Sequence, residues 1–192
     1  MRLWTIQPKT ILKEINNKGI FYCNEKLAKN IEDGSFKPAY DWLVNQMEKR
    51  LLNSKKPNNV NYPIWSWYLW NGENCNPSSF LEEEEEEKEK YVCIELDIPE
   101  EHVLLSDFGE WHAVLNDFYL DNSMNEEEWN KEMEYYDNLP FEKKEKIKRK
   151  SWENIFIIEK VKNEWREKGY YVQATFWLLK KEWIKEISYF TN

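Results

Sequence analysis

The 192-residue chain has few of the residues that build the commonest reactive sites. It contains two histidines and three cysteines, and Cys23, Cys75 and Cys93 show no Cys-x-x-Cys spacing. An odd, scattered set of cysteines argues against a disulfide framework and a zinc knuckle, and it fits a reducing, cytoplasmic setting. No phosphate-binding glycine loop or catalytic triad can be recognised either.

Long apolar runs and an excess of basic charge are also missing. No stretch approaches the roughly 20 apolar residues of a membrane span, and charged residues interrupt the N-terminal segment where a signal peptide would be apolar. Lysine and arginine number 27 against 36 acids, a formal net charge of -9. Because nucleic-acid binding needs a clustered basic surface, we expect a soluble protein that does not bind nucleic acid.

Aromatic residues, in contrast, make up 16% of the chain and include 11 tryptophans. The densest stretch, IWSWYLW at residues 64–70, is predicted to be a strand that is apolar on both faces. A sealed core would have to satisfy the hydroxyls of Ser66 and Tyr68. The strand is therefore either buried core or the aromatic wall of a binding pocket.

The order of the predicted elements indicates an α+β protein. Residues 3–7, 64–70, 91–98, 170–179 and 182–190 are predicted strands. Helices between them favour a mixed, mainly antiparallel central sheet with flanking helices, in a single domain over residues 1–192.

Two charged segments interrupt this pattern. A charged helical insertion is expected around residues 121–168, with Gly169 as the end of its last helix. The glutamate run at residues 82–87 is expected to be a solvated loop.

Several polar side chains have two interpretations. Glu95 and Asp97 share one face of a predicted strand, roughly 7 Å apart, where they either face solvent or hold a cation. Asp107 and Glu110 have the spacing of a capping box. His112 either packs in the fold or, with Glu95 and Asp97, serves a metal-dependent hydrolase, although no recognised ligand spacing is present.

Gln173 and Thr175 alternate with apolar residues near the end of the chain, on the strand face that also carries Tyr171 and Trp177. An amide and a hydroxyl between aromatic rings suit recognition of a ring or a ribose. The same side chains also occur as ordinary fillers of a sheet face.

Several motifs together resemble a known family. LWTIQ at 3–7, YPIW at 62–65, LLSDF at 104–108 followed by WH at 111–112, and QATFW at 173–177 occur in the order found in an uncharacterised bacterial family, a domain of unknown function. The resemblance covers nearly the whole chain. Because that family has no established activity, the resemblance informs the fold more than the function.

A more remote resemblance is to the ADP-ribosyltransferase-like fold, in which a first strand, a helix and a glycine follow one another as in Leu3 to Gly19. That resemblance implies NAD lying across two central strands, with Thr5 and Gln7 on the first strand and Ser66 and Tyr68 on the second. Gln173 would occupy the late-strand position.

The chain departs from this pattern at the catalytic positions. It has Thr5 where those transferases carry Arg or His, and Gln173 and Thr175 where they carry Glu. An amide cannot stabilise an oxocarbenium cation by charge.

We therefore expect an aromatic cleft that binds NAD or another nucleotide, with ADP-ribosyl transfer as its activity and no metal. The expected ligand-binding residues are Thr5, Gln7, Ser66, Trp67, Tyr68, Asp107, Trp111, His112, Gln173 and Thr175. The alternative is a non-enzymatic interaction module, regulatory or defensive, whose acidic surface contacts a basic protein partner.

Overall fold

A six-stranded sheet lies at the centre of the chain, for which the computed structural model describes residues 1–23, 34–77 and 90–190. Its strands are β1 (Arg2–Pro8), β3 (Ile64–Leu69), β4 (Tyr91–Asp97), β5 (Leu104–Asp107), β8 (Val172–Phe176) and β10 (Ile184–Tyr189). They lie in the order β10-β4-β1-β3-β8-β5, and each neighbouring pair is antiparallel. The predicted α+β class is confirmed. The glutamate run at 82–87 lies outside the described residues.

Short strands and five α-helices complete the described fold. Strand β2 (Ile20–Tyr22) pairs with β9 (Leu178–Lys180), and β6 (Val161–Lys162) pairs with β7 (Glu167–Lys168). The helices are α1 (Ile11–Lys18), α2 (Lys37–Arg50), α3 (Phe108–Leu115), α4 (Glu126–Asp137) and α5 (Phe141–Ser151). Within the described ranges, every helix is too short or too polar to traverse a lipid bilayer.

Each face of the central sheet is covered by its own apolar core. On one face, Ile11 and Ile15 of α1 and Phe21 of β2 pack against strand residues such as Ile94 and Phe176. On the other face, α2, α3 and the 3₁₀ turn Trp152–Phe156 bring together a second core. Its buried members include Leu43, Met47, Trp111, Val114, Trp152, Ile155 and Trp177. Strand β3 therefore has packed neighbours on both sides, as its apolar residues predict.

The junction between β1 and β3 depends on side chains. Strand β1 pairs with β4 from Arg2 to Pro8, but its register with β3 has a single pair, Trp4 opposite Trp67. On one side of that pair the Thr5 hydroxyl donates to the Trp65 carbonyl over 2.7 Å. On the other side the Asn74 amide donates to the carbonyls of Arg2 and Tyr68. These side-chain bonds satisfy backbone carbonyl groups that would accept from backbone N–H groups if β1 and β3 were paired over more residues.

The segment before β8 differs from the sequence-based expectation. The last α-helix ends at Ser151, and a 3₁₀ turn and the β6-β7 hairpin follow it, so Gly169 does not end a helix. Gly169 has φ 75° and its N–H donates to the Asp107 carboxylate over 2.7 Å. The other oxygen of that carboxylate accepts from the Glu110 N–H over 2.9 Å, which confirms the predicted cap of α3.

We expect Gly169→Ala to destabilise the protein strongly. A Cβ at residue 169 would lie 2.6 Å from the Ile158 carbonyl oxygen and 2.7 Å from that of Glu159, in addition to the cost of a positive φ. Gly19→Ala is the matched control, because Gly19 has φ 73° but open space around it. Urea unfolding should show a loss of about 1 kcal/mol for Gly19→Ala. A loss at Gly169 no larger than the loss at Gly19 would contradict the expected clash.

Candidate functional site

Four half-buried aromatic rings form a cluster on the face of the sheet that α3 covers. The ring of Trp67 lies 4.7 Å from that of Trp70 and 5.0 Å from that of Phe108, and Trp70 lies 5.4 Å from Tyr171. The Phe108 N–H donates to the Tyr171 carbonyl over 2.9 Å, so the first residue of α3 is joined to the residue just before β8. We call Trp67, Trp70, Phe108 and Tyr171 the aromatic cluster.

A row of side chains runs across the sheet beside the aromatic cluster. Trp4 is opposite Trp67, Trp67 is opposite Gln173, and Gln173 is opposite Ser106. Trp4 and Ser106 are each 1% exposed, and the Trp4 indole Nε1 and the Ser106 Oγ have no hydrogen-bond partner within the described part of the chain. Buried polar atoms without partners are uncommon, and binding sites are one place where they occur.

Two lysines lie at the edge of the aromatic cluster. Lys160 donates to the Gly72 carbonyl over 2.7 Å, and the Gly72 N–H donates to the Tyr170 carbonyl over the same distance. The ammonium groups of Lys160 and Lys162 lie 5.5 and 5.1 Å from the centre of the Tyr170 ring. The two lysines therefore lie beside Tyr170, the residue before Tyr171 of the cluster, and Lys162 also pairs with Glu167 over 2.6 Å.

A group of partly buried charges holds α3 against the β6-β7 hairpin. Glu110 pairs with Arg166, and its other oxygen lies 2.7 Å from the Lys168 ammonium group. Lys168 also donates to the Asn154 carbonyl over 2.8 Å. Burial raises the pKa of Glu110, against the opposing effect of Lys168 and Arg166. These contacts fix the helix that carries Phe108.

Four of the predicted site residues lie on the opposite face of the sheet from Trp67. Thr5 and Ser66 are 0% and 3% exposed, and their hydroxyls donate to the carbonyls of Trp65 and Ala174. Gln7 is half-buried and donates to the Thr5 hydroxyl, and Tyr68 packs against the core that includes α1. The expected single cleft is therefore wrong, because the alternation along β3 separates Ser66 and Tyr68 from Trp67.

The other predicted residues lie near the aromatic cluster or support it. Gln173 is half-buried beside Trp67, whereas Thr175 is buried and donates to the Leu104 carbonyl. Trp111 is buried with its ring 5.2 Å from Trp65. His112 is exposed next to Phe108, with its Nδ1 3.0 Å from the Phe108 carbonyl. Asp107 is a buried helix cap. Gln173 and Trp67 thus remain the predicted residues best placed to contact a ligand.

The residues of the metal-dependent alternative lie far apart in the fold. Glu95 on β4 pairs with Arg2 through two oxygens, and Asp97 pairs with the N-terminal ammonium group. His112 follows β5, at the other edge of the sheet. Among residues 1–23, 34–77 and 90–190, no group of three acids, histidines or cysteines could hold a metal ion.

Three further members of the site carry a weaker signal in local sequence patterns. Trp70 lies beyond the end of β3, and Phe108 is the first residue of α3, where an apolar side chain reads as ordinary core. Ser106 lies in a short apolar strand. Their proximity depends on the register of β3, β8 and β5, which was not predictable from local patterns.

The fold and the site together define an α+β domain with one aromatic, partly open sheet face. The chain belongs to the family described as Domain of unknown function (DUF3841), whose model matches residues 2–185. This confirms the resemblance to a family of unknown function. Neither the curated proteins nor the solved structures contain a match.

We expect the protein to become less stable at alkaline pH because the phenol of Tyr40 is buried. Its ring lies 5.4 Å from Trp111 and 6.3 Å from Trp65, and burial, with a smaller effect of Cys23, raises the pKa of Tyr40 to about 12. The folded state therefore holds this proton more tightly than the unfolded state. The stabilisation is fully present below the ordinary pKa of 10.0 and is lost as the pH rises through the folded pKa.

Urea unfolding at about pH 9 and about pH 11 measures this effect in the wild type and in Tyr40→Phe. We expect the wild type to lose about 1 kcal/mol more than the variant between these two values. Equal losses in both proteins would show that Tyr40 does not carry the pH dependence.

Proposed function

We propose that the chain binds a nucleotide or an NAD-like dinucleotide at the aromatic cluster. The observation that carries the proposal is the cross-strand row in which the half-buried Trp67 and Gln173 lie between two buried polar groups, Trp4 Nε1 and Ser106 Oγ. Neither group has a hydrogen-bond partner among residues 1–23, 34–77 and 90–190. A ligand that combines a flat ring with hydrogen-bonding edges matches this combination of groups.

Each part of the site has a role in this proposal. Base–aromatic stacking contributes about 1–3 kcal/mol per base, and Trp67 and Trp70 offer adjacent half-buried rings. The Gln173 amide offers both a donor and an acceptor to a ring edge or a ribose hydroxyl. Lys160 and Lys162 offer positive charge to phosphates at the edge of the cluster.

ADP-ribosyl transfer is the finer part of the proposal. The strand, helix and glycine of Arg2 to Gly19 support it, since the ADP-ribosyltransferase-like fold starts in the same way. Breaking the bond between ribose and nicotinamide creates an oxocarbenium-like centre that a carboxylate stabilises by charge. Gln173 lacks that charge, and Glu110 is already paired with Lys168 and Arg166. Ligand binding is therefore the main proposal, and ADP-ribosyl transfer is secondary to it.

The test is calorimetric titration of the protein with NAD, ADP-ribose and ATP. We expect saturable binding that weakens about 10- to 100-fold in Trp67→Ala, because stacking is lost. Gln173→Ala should weaken binding about tenfold through the lost hydrogen bonds. Trp165→Ala is the matched control and should bind as the wild type does, because Trp165 is 44% exposed and lies on the β6-β7 hairpin, outside the cluster.

Absence of heat with all three compounds would overturn the proposal, provided that circular dichroism shows a folded protein. Binding that is unaffected by Trp67→Ala would place the ligand elsewhere and overturn the proposed site. Release of nicotinamide from NAD, with water or an added nucleophilic side chain as acceptor of the ADP-ribosyl group, separately tests transfer. If NAD binds and no nicotinamide is released, binding stands and transfer is refuted.

A second candidate function is an interaction module that binds a protein partner. Helix α4 favours it, because it has six acids against one lysine and no buried residue. A helix with so few packed contacts has little tertiary stabilisation of its own, and its charge suits a basic surface. A pull-down that recovers one stoichiometric protein partner, in a salt-dependent way, would distinguish this function from nucleotide binding.

A further inference from the structure

A pocket lies where the loop before α4 meets the first two turns of that helix. It has a volume of about 450 Å³ and shares no residue with the aromatic cluster. We call it the acceptor pocket, because most of the polar atoms that its side chains offer are oxygens. Its lining residues are Tyr119, Asn122, Ser123, Glu128, Lys131 and Glu132.

The loop at residues 119–125, which forms one wall of the acceptor pocket, is held by hydrogen bonds to the β6-β7 hairpin. The Arg166 guanidinium group donates to the Asp121 carbonyl over 2.9 Å. The Asn163 amide donates to the Met124 carbonyl over 3.1 Å. The wall is therefore in place before a ligand arrives, which lowers the cost of binding.

Two carboxylates of the pocket have no cationic partner among the described residues. Glu128 and Glu132 lie one turn apart on the same face of α4, and Glu132 is half-buried. Glu132 accepts from the Tyr119 hydroxyl, and Glu128 accepts from the Met124 N–H over 2.8 Å. Each carboxylate has a second oxygen that accepts no hydrogen bond from these residues. Because like charges at this spacing repel each other, a cation between them would be stabilising.

The other ionisable groups of the lining do not neutralise these carboxylates. The Lys131 ammonium group lies 2.7 Å from Glu127, which does not line the pocket. Burial, with the nearby Glu132 carboxylate, raises the pKa of Tyr119, so its phenol stays protonated as a neutral donor. The pocket therefore offers negative charge to a ligand.

Ser123 is the residue whose environment indicates a ligand. It is 6% exposed and lines the pocket, and its hydroxyl makes no hydrogen bond with any residue in the described ranges. Its N–H, in contrast, donates to the Asp121 carboxylate over 2.9 Å. A hydroxyl in a largely buried residue costs stability when it has no partner, and binding sites are one place where such groups occur. A ligand with hydrogen-bond donors would satisfy it.

We propose that the acceptor pocket binds an organic cation, through an alkylammonium or guanidinium group held by Glu128, Glu132 and Ser123. Both groups carry hydrogen-bond donors and no acceptor, so they match two carboxylates, a hydroxyl and the Asn122 amide oxygen. A metal ion matches less well, because no group of three acids, histidines or cysteines in the described ranges could hold one. The site does not depend on nucleotide binding, and it gives the basic partner of the interaction function a specific contact.

Titration of the full ¹⁵N-labelled chain, followed by two-dimensional NMR, tests the proposal. The ligands are agmatine and cadaverine as free amines, and acetyl-Gly-Arg-Gly-amide as a peptide side chain. At low salt we expect saturable shifts of the Ser123, Glu128 and Glu132 amide signals, with a dissociation constant of about 0.1–1 mM. The neutral compound 1-pentanol should give no saturable shift. Tighter binding of the peptide than of agmatine would identify a protein side chain as the source of the cation, and the reverse order would identify a free amine.

Conservative variants measure the contribution of each group. Glu132→Gln should weaken binding about tenfold, because the charge is lost while the amide oxygen still accepts from Tyr119. Ser123→Ala should weaken binding about threefold through the lost hydrogen bond. Glu134→Gln is the matched control, because it removes the same charge from α4 outside the pocket lining, and it should bind as the wild type does.

Several results would overturn the proposal. Absence of saturable shifts with all three cations refutes it, as does binding that Glu132→Gln weakens no more than Glu134→Gln. Unchanged affinity in Ser123→Ala removes Ser123 from the site. If Ca²⁺ causes the same shifts at a far lower concentration than agmatine, the pocket is a metal site.

The spectra of the variants without ligand show whether they are folded. The tested residues lie outside the aromatic cluster, so nucleotide titration of the same variants tests the nucleotide site separately.

Discussion

The covering of strand β3 on both faces is the constraint on which the candidate site depends. With α1 and β2 on one side and α2 and α3 on the other, the two faces of β3 meet different environments: Ile64 and Tyr68 pack in one core, and Trp65 packs in the other. The two-residue alternation then assigns Ser66 to one environment and Trp67 to the other. Ser66 donates to the Ala174 carbonyl inside its core. The face of Trp67 and Gln173 is the one where half-buried rings lie beside Trp4 Nε1 and Ser106 Oγ, which have no hydrogen-bond partner in the part of the chain that the structure describes.

The aromatic cluster is rigid because its members are tied together through the backbone. Asp107 accepts from both the Glu110 and the Gly169 N–H groups, so the start of α3 and the segment before β8 are held by one carboxylate. The bond between Phe108 and Tyr171 fixes the two segments that carry those rings. A site built on anchored elements of this kind requires little reorganisation to stack a ligand, which favours affinity.

Local sequence patterns were sufficient to predict the elements whose structure depends on residues close together in the chain. The strand, helix and glycine from Arg2 to Gly19, the alternation of β4 and the Asp107 cap each depend on contacts within a few residues or on a strong periodic pattern. Gly169 shows the limit of this reasoning. A glycine after a charged, amphipathic segment resembles a helix end, but here its positive φ serves the junction of a hairpin with β8.

The candidate site was predictable only in part, for a different reason. Trp67 and Gln173 could be selected by residue type, but their meeting depends on the register that pairs β3 with β8, and the roles of Trp4 and Ser106 depend on two further registers. Strand order and register are set by contacts between residues far apart in the chain. Local patterns also could not reveal that Thr5 is used to hold β1 to β3, where the backbone ladder has a single pair.

The charge distribution is compatible with a nucleotide site in an acidic chain. A net charge of -9 opposes the approach of an anionic nucleotide, but exposed charges act over only about 8–10 Å at physiological salt. Near the aromatic cluster, Lys162 is paired with Glu167, whereas the hydrogen bond of Lys160 is to the neutral Gly72 carbonyl. A phosphate at the edge of the cluster would therefore meet the positive charge of Lys160.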